Sequence, residues 1–239
     1  MYFGCINFLL SQIIENLENM FLFKKKQEVV EQKKTEVVGC IELANYRCIT
    51  IGVSAGGTKV LTQLLPQFPA NFALPIVIIQ HLHPNQGNYF IQYYGQRCNL
   101  NIKEAEEKEL IKAGNIYFAP PNYHLFIEDD YTFSLSVDEK VNYSRPSIDV
   151  FFMSAADVFT SQLIGVILTG ANYDGANGLK KIKDFGGLAI VQDPSDAEAR
   201  PMPSGAISAT KVDFILPASD IGILLTGGSV THTQITVSE

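Results

Sequence analysis

From residue 48 onward the chain alternates short apolar runs with amphipathic stretches. Three of the runs, over residues 49–53, 73–80 and 163–169, are apolar almost without interruption, which is typical of strands buried on both faces of a parallel sheet. Each is followed by a stretch that favours a helix, over 58–65, 87–97 and 175–185. Strands that alternate with helices predict an α/β fold with a doubly wound, mostly parallel, Rossmann-like sheet.

Shorter segments complete the predicted architecture. Further strands are predicted at 101–106, 115–119, 188–192 and 214–216, and further helices at 148–159 and 203–209. Residues 123–128 and 131–137 flank the acidic pair Asp129-Asp130. Two such runs joined by a short polar turn predict a β-hairpin insertion.

The first 46 residues follow a different pattern. Apolar residues between 6 and 22 recur near helical spacing, so an amphipathic helix is one interpretation and a loosely ordered tail is the other. Residues 24–36 are nearly all charged or polar, which indicates a linker or an exposed helix. We therefore expect an N-terminal extension over 1–46, a folded domain over 47–225 and a C-terminal tail over 226–239.

Composition narrows the class of protein. The 239 residues are 46% hydrophobic and 18% charged, and the net charge of −7 argues against a nucleic-acid partner. The four cysteines have no C-x-x-C spacing, which indicates neither zinc nor a disulfide framework and fits a reducing cytosol. No secretory signal and no apolar run of about 20 residues is recognisable. We expect a cytoplasmic protein without membrane insertion.

Three polar residues follow the three longest apolar runs. Ser54 lies in a glycine-rich turn after 49–53, His81 follows 73–80, and Asp174 follows 163–169. If these strands are neighbours in one parallel sheet, all three side chains emerge at the same edge. A serine, a histidine and a carboxylate form the nucleophile, base and orienting group of acyl transfer. The glycines around Ser54 permit the sharp turn that exposes a nucleophile.

Each of these residues also has a simpler interpretation. The glycine-rich turn is compatible with a phosphate or dinucleotide loop, although neither G-x-G-x-x-G nor a Walker lysine is present. His81 alone is more often structural, and Asp174 alone is more often the N-cap of the helix that follows it. His83 and His124 are interpreted as surface or structural residues. We expect neither a metal site nor a cofactor.

Over roughly residues 49–216 the chain resembles the catalytic domain of the chemotaxis protein-glutamate methylesterases, the CheB family. The resemblance rests on eight segments, which occur in the expected order: IGVSAGG at 51–57, VIIQHLHP at 77–84, KEAE at 103–106, IYFAPP at 116–121, RPSIDVFF at 145–152, GVILTG at 165–170, DGA at 174–176 and MPSGAI at 202–207.

The resemblance implies a serine hydrolase that removes methyl esters from chemoreceptor glutamates and also deamidates glutamines. It assigns the nucleophile to Ser54, the base to His81 and the acid to Asp174, and it places oxyanion contacts at the N–H groups of Ala55 and Ala171. The implied partners are the cytoplasmic helices of methyl-accepting chemoreceptors.

Two departures from the family pattern bear on this expectation. The acid loop has Ala171 and Asn172 where the family usually has methionine and glycine, and a glycine there matters if the position needs a positive φ. Residues 1–46 are also too few for the receiver domain that usually precedes the catalytic domain. We expect a stand-alone form, either unregulated or controlled by a trans-acting regulator that docks on the extension.

Two other functions stay open at this point. The altered acid loop favours a catalytically weak module that binds a receptor or a signalling partner. A serine hydrolase of another ester or amide is the third hypothesis, because residues outside the motifs determine substrate choice.

Overall fold

The structure is a computed structural model, and it describes residues 33–81 and 87–236. Two compact units are distinguished: of the described residues, 33–37 and 233–236 belong to one, and 38–81 and 87–232 to the other. The strands β1 (Lys33–Gly39) and β11 (Val230–Thr236) pair in a two-stranded sheet. The helix expected at 6–22 lies outside the described residues.

The expectation of a linker or helix over 24–36 is wrong from residue 33 onward, where β1 begins. Thr35, Val37 and Val38 are β-branched residues, which favour the extended conformation and outweigh the charges around them.

A seven-stranded sheet forms the larger unit, with the order β10-β9-β8-β2-β3-β5-β4. Every neighbouring pair of strands in it is parallel. Its strands are β2 (Cys48–Val53), β3 (Ile76–Gln80), β4 (Asn101–Glu104), β5 (Asn115–Phe118), β8 (Leu163–Ile167), β9 (Leu188–Gln192) and β10 (Phe214–Leu216). The predicted doubly wound parallel sheet is confirmed.

Helices cover both faces of this sheet. On one face lie α1 (Gly57–Leu64), α2 (Gly87–Gly95) and α6 (Ala218–Leu225); on the other lie α3 (Ile148–Phe159), α4 (Ala176–Asp184) and α5 (Pro201–Ala209). Alternate residues of a strand point to opposite faces. Ile49 and Ile51 accordingly enter one apolar cluster, whereas Val77 and Ile79 of β3 enter the other. No helix among the described residues is long and apolar enough to span a membrane.

The predicted hairpin insertion is also confirmed. Strands β6 (His124–Ile127) and β7 (Phe133–Ser136) pair antiparallel. Leu125, Ile127 and Phe133 are buried in the same apolar cluster as α3, so the hairpin packs against that helix.

The order of the strands fixes where a site lies. From β2, the chain adds β3 and β5 on one side and later adds β8, β9 and β10 on the other. The two halves of the sheet therefore meet between β2 and β8, and open parallel sheets hold their ligands beyond the carboxyl ends of the strands at such a point.

Candidate active site

Ser54, His81 and Asp174 lie at this carboxyl edge. Ser54 directly follows β2 and His81 directly follows β3, and the His81 N–H donates to the Val53 carbonyl at 3.1 Å. Asp174 lies in the loop that leads from β8 to α4. Because β8, β2 and β3 are adjacent, the structure brings the three predicted residues to one edge.

Ser54 is half-buried and occupies a tight turn between β2 and α1. The Gly57 N–H donates to the Ser54 carbonyl at 2.8 Å, and Gly56 adopts φ +79° just before the helix. A Cβ atom at Gly56 would lie 2.8 Å from the Glu198 Cβ atom. Position 56 thus requires glycine both for its left-handed backbone and for the close approach of Glu198. Ser54 and His81 both line a cleft of about 400 Å³ above this turn.

Thr169, just beyond the neighbouring strand β8, is hydrogen-bonded to the turn that contains Ser54. Its carbonyl accepts the Ser54 N–H at 2.9 Å, and its Oγ1 donates to the Ala55 carbonyl at 2.9 Å. The Ala199 N–H donates to the same Oγ1 at 2.8 Å, and the Thr169 N–H donates to the buried side chain of Gln192 at 2.9 Å. The Thr169 N–H thus bonds a side chain and not a neighbouring strand, and β8 ends at Ile167, two residues earlier than predicted.

The carboxylate of Asp174 is completely buried and accepts five hydrogen bonds. Its Oδ2 accepts from His81 Nε2 at 2.9 Å and from the Ile148 N–H at 2.7 Å. Its Oδ1 accepts from Ser147 Oγ at 2.8 Å, Asn142 Nδ2 at 2.9 Å and the Asp149 N–H at 3.1 Å. Two backbone donors at the start of α3 thus stabilise the negative charge, as the N-terminus of a helix does for anions.

These donors decide the ionisation of Asp174. Burial alone would raise its pKa, but the hydrogen bonds from His81, Asn142 and Ile148 favour the charged form and hold the pKa below its ordinary value of 3.8. Gly175, and not Asp174, is the N-cap of α4, and this glycine offers no side-chain cap. The Asp174 carboxylate therefore accepts hydrogen bonds from the start of α3 and from His81, and it does not cap α4 as the N-cap interpretation required.

The two ring nitrogens of His81 have different partners. Because an ionised carboxylate can only accept, Nε2 carries the proton shared with Asp174, and Nδ1 presents its lone pair in the neutral ring. Nδ1 lies 3.5 Å from Ser144 Oγ. Among the hydrogen bonds of the described residues, none joins Ser54 to the His81 ring, although both line the same cleft. Catalytic hydrogen bonds are often long without substrate and tighten when it binds.

Asp149 provides a second buried carboxylate close to that of Asp174. Asp149 Oδ1 accepts the Gly178 N–H at 2.7 Å, and its Oδ2 accepts from Asn142 Nδ2 at 2.9 Å. The Asn142 amide nitrogen therefore donates to both Asp149 and Asp174. Burial raises the pKa of Asp149; the Gly178 N–H opposes that shift, and the charge on Asp174 adds to it. The single Asn142 amide group thus separates two like charges.

Ala55 and Ala171 are exposed, and their N–H groups donate to no protein acceptor within the described parts of the chain. Ala55 follows Ser54, whose N–H donates to the Thr169 carbonyl. Ala171 follows Gly170, whose N–H donates to the Ala199 carbonyl at 3.0 Å. Free donors held by a rigid backbone at this edge can stabilise an oxyanion.

Asn172 resolves the question raised by the unusual acid loop. It is not among the described residues with a positive φ, so its position does not require glycine. Its Oδ1 accepts the Asp174 N–H at 3.3 Å, a local turn that asparagine forms readily and glycine cannot.

Several residues that build this site were not predicted from the sequence, namely Asn142, Ser144, Ser147, Thr169 and Gln192. Ser147 gave one signal, because a serine before a helix is a typical N-cap and its Oγ does accept the Val150 N–H at 3.4 Å. Its second contact, with Asp174, depends on tertiary structure. His124 is buried and structural: its Nδ1 accepts the Ser147 N–H at 3.2 Å. His83 lies outside the described residues, and no metal-binding group of His, Cys, Asp and Glu occurs among the described ones.

The chain is similar to known proteins in sequence and in fold. The model of the CheB methylesterase family matches residues 49–225. A Leptospira interrogans protein is 56% identical over 180 residues, which are 75% of this chain and 93% of the relative. The protein-glutamate methylesterase/protein-glutamine glutaminase of Thermotoga maritima is 34% identical over 203 residues, 84% of this chain and 57% of the relative. The crystal structure of the Thermotoga maritima CheB methylesterase catalytic domain superimposes with a TM-score of 0.73 at 34% identity and covers 76% of this chain and 97% of that domain.

Proposed function

Because the chain belongs to the CheB methylesterase family, we propose that it hydrolyses glutamate methyl esters on chemoreceptors through Ser54, His81 and Asp174. The observation that carries this proposal is the His81–Asp174 hydrogen bond of 2.9 Å beside the cleft that Ser54 lines. A neutral imidazole oriented by a buried carboxylate is the general base that a serine nucleophile needs.

The first half of the reaction forms an acyl-enzyme. His81 Nδ1 takes the proton of the Ser54 hydroxyl as Oγ attacks the ester carbonyl carbon. The negative charge that develops on the carbonyl oxygen is held by the N–H groups of Ala55 and Ala171. When the tetrahedral intermediate collapses, His81 gives its proton to the leaving methoxide, and methanol departs.

The second half restores the enzyme. His81 takes a proton from water, the resulting hydroxide attacks the acyl carbon, and the protonated imidazole returns the proton to Ser54 Oγ. The product is a receptor glutamate with a free carboxylate. The same steps convert a glutamine side chain to glutamate when ammonia, rather than methanol, is the leaving group. Asp174 stabilises the imidazolium in both halves because its charge faces Nε2 throughout.

Methanol release from membranes that contain methylated receptors tests this proposal. The wild type is expected to release methanol in proportion to enzyme, and Ser54→Ala is expected to lose at least about 10³-fold in rate, as loss of the nucleophile does in serine hydrolases. Ammonia release from unmodified receptor glutamines tests the deamidation in the same samples. Equal release by both proteins would refute the assignment of Ser54.

One observation favours a second candidate, a receptor-binding module with weak catalysis: Ser54 forms no hydrogen bond with His81 within the described structure. The two candidates differ in covalent chemistry. A binding module co-sediments with receptor membranes but releases no more methanol than Ser54→Ala does.

The substrate also fixes where the reaction takes place. The modified helices of chemoreceptors lie in the cytoplasm, and we therefore place this enzyme there. In cell fractionation, we expect the chain to be recovered with the cytosolic fraction. We expect receptor membranes to retain it only when they carry methyl esters.

A further inference from the structure

Four exposed tyrosines are adjacent in sequence to residues of the site or of its surroundings. The exposed fractions are 65% for Tyr89, 41% for Tyr123, 98% for Tyr143 and 67% for Tyr173. Tyr89 precedes Phe90, which lines the cleft, and Tyr123 precedes His124, which contacts Ser147. Tyr143 lies between Asn142 and Ser144, and Tyr173 precedes Asp174. Exposed aromatic rings near a site are typical of surfaces that bind other proteins.

Tyr143 has no structural role that would account for its position. Mutual backbone hydrogen bonds between Val141 and Ser144, of 3.2 and 2.9 Å, close a turn in which Asn142 and Tyr143 adopt φ of 51° and 62°. A positive φ is unfavourable for a bulky residue, and such strain is concentrated at functional sites. The Tyr143 side chain makes no hydrogen bond, ion pair or ring contact in the described structure.

Tyr173 is presented differently. Its ring lies against α5, where a Cβ atom at Gly205 would come within 2.5 Å of the ring. Glycine at that position therefore leaves room for the ring against the helix, while two thirds of the residue stays exposed. A depression of about 520 Å³ beside this ring is lined by amide and hydroxyl side chains and by no charged one: Asn142, Asn177, Ser204 and Ser208.

We infer that Tyr143 and Tyr173 form the docking surface for the substrate, a helical protein segment whose side chains at the contact are neutral esters and amides. This inference rests on the proposed function. A glutamyl side chain is short, so the backbone that carries a reacting ester must lie close to Ser54 and His81. Tyr143 and Tyr173 are each adjacent in sequence to a residue whose side chain contacts His81, namely Ser144 and Asp174. The uncharged depression fits a methylated or amidated helix face, and the net charge of −7 disfavours one rich in free carboxylates.

The test compares two substrates on one set of variants. Tyr143→Asn is chosen because asparagine tolerates a positive φ, and Tyr173→Ala removes the second ring. Phe185→Ala is the matched control: Phe185 is aromatic, 44% exposed, and follows the C-terminal end of α4, away from the carboxyl edge. For each protein, kcat/KM is measured with methylated receptor membranes and with a short peptide containing one glutamate γ-methyl ester.

The measured quantity is the ratio of kcat/KM for the receptor to kcat/KM for the peptide. We expect each tyrosine variant to lower this ratio about tenfold, the loss that a well-packed aromatic contact produces on truncation, while Tyr143→Phe and Phe185→Ala keep the wild-type ratio. A ratio that changes less than threefold in both tyrosine variants, or that falls equally in Phe185→Ala, overturns the inference.

Two further outcomes are decisive. If the wild type hydrolyses the peptide but never the receptor, the proposed substrate is wrong, and this inference falls with it. If the wild type is active on the receptor and the variants keep its ratio, only this inference is overturned. Sedimentation provides the last check, because a wild-type dimer that dissociates in Tyr143→Asn would assign this surface to a second copy of the chain and overturn the inference.

Discussion

Replacing Asp174 with asparagine removes one negative charge and almost no volume, yet the structure predicts that no orientation of the amide fits. Both carboxylate oxygens accept a backbone N–H: Oδ2 accepts that of Ile148 at 2.7 Å, and Oδ1 that of Asp149 at 3.1 Å. Asparagine has one oxygen, so its NH₂ group must face one of these buried donors whichever way the amide is turned.

The cost can be estimated from these contacts. Leaving one buried backbone donor unsatisfied costs about 1–3 kcal/mol, and bonds to a charged acceptor lose about half their strength when it becomes neutral. Relief of the penalty for burying a charge offsets part of this. We expect a net loss of about 3 kcal/mol in the free energy of unfolding, a large share of the 5–15 kcal/mol typical of a domain. The rate should fall about 10³-fold or more, because His81 loses its oriented proton and its counter-charge.

Urea denaturation followed by far-UV circular dichroism measures the stability, since the chain contains no tryptophan. With a urea m-value of about 2 kcal/mol/M, the midpoint should fall by about 1.5 M. Asp184→Asn is the control, because Asp184 is exposed and pairs with Lys180 on the surface at 2.7 Å; its midpoint should stay within about 0.3 M. An Asp174→Asn protein with a wild-type midpoint and more than a tenth of the wild-type rate would refute this reasoning.

The same contacts predict a pH dependence with a definite sign. The pKa of Asp174 is lowered in the folded state from 3.8, so its contribution to stability is complete above the unfolded value and is lost as the pH falls through the lower folded value. The difference in stability between wild type and Asp174→Asn should therefore be constant above about pH 5 and shrink below pH 3.8. A difference that grows on acidification would contradict the assigned direction of the shift.

Three other substitutions examine the surroundings of Ser54. Gly56→Ala should lose stability and nearly all activity, whereas Gly114→Ala, at the same φ of +79° but with no atom within 4 Å, should cost only the backbone strain of about 1 kcal/mol; equal midpoints in the two variants would speak against the contact with Glu198. Thr169→Val should lower kcat at least about tenfold with little change in KM, because valine keeps the shape of the threonine side chain but cannot donate to the Ala55 carbonyl. Steady-state kinetics with the peptide ester measure both constants. Asn172→Gly should keep more than about a tenth of the wild-type rate, because only a 3.3 Å bond is lost, and inactivity would show that the loop needs asparagine.

The pattern of the sequence predicted the fold because its main strands are unambiguous. Continuous apolar runs such as β2 and β8 are buried on both faces, and that burial is what the pattern reports. Helix α6 was not predicted, since its eight residues are mostly apolar and include Gly222; the structure shows that Gly222 lies against the Gln67 side chain, where a Cβ would collide.

The site was predictable only in part, for a physical reason. Ser54 and His81 follow their strands directly, so strand order alone brings them together. Asp174 lies seven residues beyond the end of β8, and its position depends on the start of α3 rather than on its own strand. The role of Asn142 depends on a turn with positive φ and on two carboxylates, one of them, Asp174, 32 residues further along the chain. No local pattern of residues reports contacts of that kind.

The central claim is that Ser54 becomes acylated, and a fluorophosphonate probe tests it most directly. Such a probe reacts with a serine only when a base and an oxyanion site activate its hydroxyl. The wild type should be labelled once per chain, with the adduct mapped by mass spectrometry to the peptide that contains Ser54, and Ser54→Ala should not be labelled. Absence of labelling in the wild type, or equal labelling of both proteins, would show that Ser54 is not an activated nucleophile.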